Sequence, residues 1–151
     1  MAYVGGASSR TPGCVFCTAR ASVDDRAHLV LHRGARAFLI LNAFPYAPGH
    51  LMVALNRHVG LIGEVPADEL AEAMSLVQRG TDALTAEYRA EGFNVGMNVG
   101  RVAGAGIEDH LHVHVVPRWG GDTNFVTVLD AVRVVPEDLR VTWDRLRKHL
   151  A

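Results

Sequence analysis

Long hydrophobic runs are missing from this chain. Its longest apolar stretches, such as Phe38 to Leu41 and His50 to Leu55, fall far short of the roughly 18 residues that a membrane span needs. Residues 1–13 are small and polar, with neither an apolar stretch of signal-peptide length nor an amphipathic Arg-rich pattern. The expectation is a soluble, cytoplasmic protein with no membrane partner. Charge of one sign is also missing. Fifteen basic residues against 16 acidic ones leave a net charge of −1 without any long like-charged run, which argues against a nucleic-acid partner. Cysteine is scarce, at two in 151 residues, so a disulfide-stapled scaffold is excluded; in a cytoplasm such a pair reads as thiols or metal ligands. A 49% hydrophobic, 21% charged chain of this length suits one globular domain, here a tail over 1–13 followed by a single domain over 14–151.

Histidine is abundant. There are eight, and three of them fall in the five residues His110 to His114. In His110-Leu111-His112-Val113-His114-Val115-Val116 the alternation is strict. A strand sends successive side chains to opposite faces, so the three imidazoles share one face and the aliphatic residues the other. Three buried imidazoles on one face would cost too much desolvation unless that face were a functional cleft. One metal held by all three would be strained, because His110 and His114 stand about 13 Å apart at ~3.3 Å per residue and a Zn–N bond is only about 2.0–2.1 Å. A division of labour fits better: the central ring reacts as a neutral nucleophile toward phosphorus, and its neighbours hold or polarise it. The loop Gly100 to Gly106, with Arg101 in it, can offer backbone N–H groups to phosphate oxygens or simply make a turn.

Cys14-x-x-Cys17 precedes the first expected strand, which is not the setting of a redox pair. As a zinc site it would need two more ligands, and His58 and His110 are the candidates for a closed tetrahedral centre; two unligated thiols are the alternative. Elsewhere the pattern predicts strands over Ala27 to Leu31, Ala37 to Leu41, His50 to Leu55, Phe93 to Val99 and His110 to Val116, the last stopped by Pro117. A long helix from about Pro66 to Glu91 would bury the stripe Leu70, Met74, Val77, Thr81, Leu84 and Tyr88. After apolar runs at Phe125 to Leu129 and Val132 to Val135, a second helix follows Pro136 with Leu139, Trp143, Leu146 and Leu150 on one side. The fold class is α+β around an antiparallel sheet.

The triplet resembles the signature of the histidine triad (HIT) family at every position, and Asn42 to Val53 and Asn56-Arg57-His58 resemble it too. The resemblance implies a five-stranded antiparallel sheet extended across a homodimer, and a nucleotidyl hydrolase or transferase cleaving at the α-phosphorus of its nucleotide substrate. It implies His112 as the nucleophile, His114 and His50 as supporting catalytic histidines, and Asn42 at the ribose. Asn98 and the loop residues Gly104, Ala105 and Gly106 would lie at the phosphate. It also implies structural zinc on Cys14, Cys17, His58 and His110, with magnesium accompanying the substrate. Pro117 to Phe125 is similar to the Fhit-like branch and to bacterial diadenosine tetraphosphate phosphorylases, which makes dinucleoside polyphosphates the expected substrates. Ala105 to Asp109 departs from the pattern, offering no Gln or Ser before the triad, so water and phosphate both stay open as acceptor. Glu108 and Asp109 read as solvated loop acids. The rivals are a nucleotide-binding module, an AMP-conjugate hydrolase (phosphoramidate or adenylate), and a hydrolase in which catalytic zinc activates water.

Overall fold

The computed structural model describes residues 13–122 and 137–151. The apolar runs expected at Phe125 to Leu129 and Val132 to Val135 lie outside them. In chain order the elements are α1 (Val15–Ala21), β1 (Val30–Arg33), β2 (Ala37–Leu41), β3 (Leu51–Leu55), α2 (Ala67–Tyr88), β4 (Gly92–Gly96), β5 (His112–Arg118) and α3 (Leu139–Leu150), with short 3-10 turns at Ile62–Glu64 and Arg101–Ala103. The strands form one antiparallel sheet in the order β1-β2-β3-β5-β4.

Both faces of the middle of this sheet are covered, which explains why β2 and β3 are apolar at every residue rather than alternating. One face packs on α2 and α3 through Leu39, Leu41, Leu51, Val53, Leu111, Val113 and Val115. The other carries Phe38, Ile40, Met52 and Ala54, capped by Phe16 and Ala19 of α1. The alternation in β5 thus sends its valines to the helical core and its histidines to the α1 side.

Three expectations need correction. Helix α1 was not foreseen: seven residues with two buried side chains leave too short a pattern for periodicity to register. The buried face of α2 is turned from the predicted stripe and comprises Glu69, Ala73, Leu76, Val77, Gly80, Ala83 and Leu84, while Met74 is 47% exposed. Small residues win this contact because the helix lies close to the sheet; a Cβ on Gly80 would stand 3.0 Å from Leu51. Third, β5 continues through Pro117 to Arg118. Its pairing with β3 ends at Val115 while its pairing with β4 goes on, so the missing proline N–H falls where one side of the strand is already an edge. Helix α3 presents the expected face, with Leu146 and Leu150 fully buried. Its end is held by His32, whose Nδ1–H donates to the Leu150 carbonyl (2.8 Å) while Arg79 donates to Nε2 (2.7 Å).

Candidate functional site

The three histidines do lie on one face, and they divide into a metal-competent end and a proton-bearing end. Phe16 of α1 packs against the rings of both His110 (5.1 Å between centroids) and His112 (4.9 Å); His112 and His114 follow at 4.9 Å. Neither Phe16 nor α1 was singled out in the sequence, where an aromatic between two cysteines was the only available signal.

At the first end, His110 is fully buried and its Nε2–H donates to the Leu55 carbonyl at 2.7 Å. A carbonyl can only accept, so the lone pair is on Nδ1. That atom faces Cys14 Sγ at 3.3 Å and Cys17 Sγ at 3.6 Å, and Cys17 Sγ lies 3.4 Å from His58 Nδ1. All four ligand atoms lie within 4.8 Å of one another. Tetrahedral bonds of about 2.3 Å to sulfur and about 2.0–2.1 Å to nitrogen would put S and N about 3.5–3.6 Å apart. The donor set therefore fits zinc in kind and in spacing. It excludes His112 and His114, so one ion shared by the whole triplet is not the arrangement. Burial and the neighbouring Cys14 push the Cys17 thiol up, so metal binding must displace a proton there.

In the middle, the His112 Nδ1–H donates to the main-chain carbonyl of His110 at 2.8 Å, which leaves Nε2 unprotonated. Burial lowers the pKa of this ring and of His110. At the far end, burial first and His112 second push His114 down to about 4. All three are neutral at pH 7.

His50 ends the loop before β3 and is 1% exposed. The Tyr46 main-chain N–H donates to its Nδ1 at 3.1 Å. A neutral His50 thus carries hydrogen on Nε2, which meets His114 Nδ1 at 3.0 Å. His114 in turn carries its hydrogen on Nε2. The loop leans on α2 from beneath: Gly49 has φ +78°, and a Cβ there would stand 2.6 Å from Leu84. Asn42 is buried, accepts the Phe44 N–H at 2.9 Å and turns its amide nitrogen to His50 Nδ1 at 3.4 Å.

The glycine loop is a 3-10 turn flanked by Gly100 (φ +83°) and Gly104 (φ +88°), conformations that glycine adopts freely. Asn98 donates to the Gly104 carbonyl at 3.3 Å. The Gly104 and Ala105 N–H groups donate within the loop, to Arg101 and Gly100. Gly106 has no such bond among the described residues. Glu108 and Asp109 are exposed beside His58. Arg118, the other arginine near the triplet in sequence, grips both Asp122 carboxylate oxygens (2.5 and 2.8 Å) and Asn94 (2.8 Å). It also stands six residues along β5 from His112, about 20 Å away at ~3.3 Å per residue.

The family model for the HIT domain matches residues 25–121, which hold His50, His58 and the triplet. The chain belongs to the histidine triad (HIT) family. It is 43% identical over 135 residues to an AP-4-A phosphorylase of Mycobacterium tuberculosis, covering 89% of this chain and 69% of that one. To an adenosine 5'-monophosphoramidase of Candida albicans it is 27% identical, with 91% of each covered. The crystal structure of a zinc-bound histidine triad family protein from Mycobacterium smegmatis superposes with a TM-score of 0.74 at 26% identity, covering 91% of this chain and 92% of the other. The five-stranded sheet is the HIT fold, and the chain is a HIT-family enzyme, a nucleotide hydrolase or transferase. Among the described residues no helix is long and apolar enough to cross a membrane.

Proposed function

We propose that this HIT enzyme cleaves dinucleoside polyphosphates such as diadenosine tetraphosphate at the α-phosphorus through a nucleotidyl intermediate on His112, resolved by phosphate or water. The observation that carries the reading is the pair of fixed tautomers: a lone pair on His112 Nε2 beside a hydrogen on His114 Nε2. The identity to an AP-4-A phosphorylase supports the substrate class.

In the first step the His112 Nε2 lone pair forms a bond to the α-phosphorus, and the bond from that phosphorus to the bridging oxygen breaks. That oxygen leaves, still charged, with the nucleoside polyphosphate, and the His114 Nε2–H, which stays on its ring, donates a hydrogen bond to it. His50 holds His114 in register through its Nε2–H. In the second step an already deprotonated oxygen of phosphate, or an oxygen of water that gives its proton to bulk solvent, bonds to phosphorus; the phosphorus–Nε2 bond breaks and His112 leaves as a neutral ring. Phosphate then yields ADP and ATP from diadenosine tetraphosphate; water yields AMP and ATP. Asn42 would meet the ribose hydroxyls, Asn98 would shape the phosphate loop, and Gly104, Ala105 and Gly106 would line it, with the Gly106 N–H as its donor. Magnesium would enter with the polyphosphate, as part of the substrate.

Cys14, Cys17, His58 and His110 would hold zinc, whose chemistry here is structural because four protein ligands leave no open position for water. The edge of β4, exposed from Asn94 to Gly96, would pair with its copy in a homodimer; sedimentation of a dimer in solution supports this and a monomer sinks it.

The deciding experiment is chromatography of products from diadenosine tetraphosphate with and without inorganic phosphate. His112→Ala should lower turnover by roughly a thousandfold or more while leaving nucleotide binding in place. Retained turnover in that variant rejects the covalent route. Activity confined to AMP phosphoramidates moves the enzyme to the other substrate class.

A further inference from the structure

We propose that Tyr46 is the positioning residue of the histidine pair: its main-chain N–H dictates which His50 nitrogen carries hydrogen, and its ring caps His50 and His114 against water. The inference rests on the reading above, in which His114 donates a hydrogen bond from Nε2 to the leaving oxygen.

The directional argument starts from a donor that cannot change roles. A backbone N–H only donates, and that of Tyr46 points at His50 Nδ1 from 3.1 Å. Asn42 turns its amide to the same ring without choosing between its nitrogens. Its carbonyl oxygen is occupied by the Phe44 N–H, and its amide nitrogen stands 3.4 Å from His50 Nδ1 and 3.5 Å from Nε2, so the direction comes from the Tyr46 N–H alone. The alternative tautomer of His50 would set a ring N–H against the Tyr46 N–H, so hydrogen is confined to Nε2. Since His50 Nε2 meets His114 Nδ1 at 3.0 Å, the constraint passes on and leaves His114 with hydrogen only on Nε2. The proton position at the reactive face is thus written by a main-chain amide two rings away.

The ring acts on the same pair. Tyr46 lies 4.6 Å from His50 between centroids and 6.1 Å from His114, nearly parallel to the latter at 21°. Its residue is 46% exposed, so one face of the ring covers the imidazoles while the other meets solvent. Water kept from the His50–His114 bond cannot offer either ring a competing partner. The segment is braced on both sides: Pro45 is buried, the Asn42 N–H donates to the His50 carbonyl at 2.9 Å, and the His50 N–H donates to Ala47 at 3.1 Å.

Imidazole nitrogen-15 NMR on the histidine-labelled full chain reads the proton position without substrate. Wild type should show hydrogen on Nε2 of both His50 and His114. An amide-to-ester replacement at Tyr46, which deletes the N–H and keeps the ring, should give His114 mixed tautomers. It should also lower kcat on diadenosine tetraphosphate about tenfold or more, with KM changed less than about twofold. Tyr46→Pro, checked for folding by its amide spectrum, should do the same. Tyr46→Ala should keep the tautomers and lose kcat to a smaller degree, and Tyr46→Phe should match wild type in both readouts. Hydrogen on His114 Nδ1 in wild type, or unchanged tautomers and kcat in the ester variant, overturns the proposal. Correct tautomers in a wild type that turns over no nucleotide would instead reject the functional reading and leave the positioning role standing.

Discussion

His110 and His114 are the same residue type, each two places from His112 on one face of the sheet, and they are prepared for opposite tasks. His110 has its Nε2–H fixed by the Leu55 carbonyl and turns an Nδ1 lone pair to two thiols and a third imidazole. His114 has its Nδ1 lone pair fixed by His50 and turns an Nε2 hydrogen into the cleft. His110 is fully buried just before β5, and His114 is half-buried within it. The decisive difference lies in the partner from another segment, an acceptor in one case and a donor in the other, and that partner decides whether a neutral imidazole serves as a ligand or as a hydrogen-bond donor.

The sharpest way to break the comparison is to remove each end in turn. His114→Gln should reduce kcat about 10²–10⁴-fold with a small change in Tm, measured by steady-state kinetics and thermal unfolding. His110→Ala, or Cys14→Ser, should do the reverse. Loss of a ligand-linked stabilisation of about 3 kcal/mol should lower Tm by roughly 5–10 °C, with residual turnover in the fraction still folded. A zinc-stripped enzyme that stays folded and loses all chemistry would put the metal in the reaction.

The next effect is smaller and depends on pH. His114 titrates at about 4 in the fold and near 6.5 when unfolded. Between those values the unfolded chain binds more protons, so the contribution is complete above about pH 6.5 and disappears as pH falls toward 4. In urea titrations, wild type should lose about 1–3 kcal/mol more than His114→Gln between about pH 7.5 and pH 4.5. Equal losses would mean that the ring is solvated.

The smallest effects sharpen the contrast between the sheet's two faces. Gly80→Leu should cost about 1–3 kcal/mol by forcing α2 off the strands. Met74→Gln, on the exposed side of the same helix, should stay within about 0.5 kcal/mol. A reversed order would restore the stripe predicted from the sequence.

Much of the site was legible because it depends on period-two alternation: once β5 is a strand, His110, His112 and His114 must share a face. The convergence of Cys14 and Cys17 with His58 and His110 was legible as ligand chemistry, though α1, which presents the cysteines, was not. The stripe expected on α2 was right at Val77 and Leu84 and partly right at Leu70 and Tyr88, which pack at the core's margin, but Met74 is exposed and the small Ala73, Gly80 and Ala83 take the centre of the contact. Hydrophobic size shifts the expected centre of the face when a helix packs by close approach. The main-chain donors were invisible in principle, since the Tyr46 N–H and the Leu55 carbonyl belong to the backbone whatever the side chain. An aromatic residue four places before His50 was the only trace.

The contact of Gly49 with Leu84 has a genetic consequence. Leu84 lies in the helical core, on the side of the sheet away from the imidazoles, yet the loop that presents His50 rests on it. Substitutions at Leu84 that leave the protein abundant would therefore be recovered as loss-of-activity alleles. Compensating changes would be sought in the 42–50 loop rather than around the triplet.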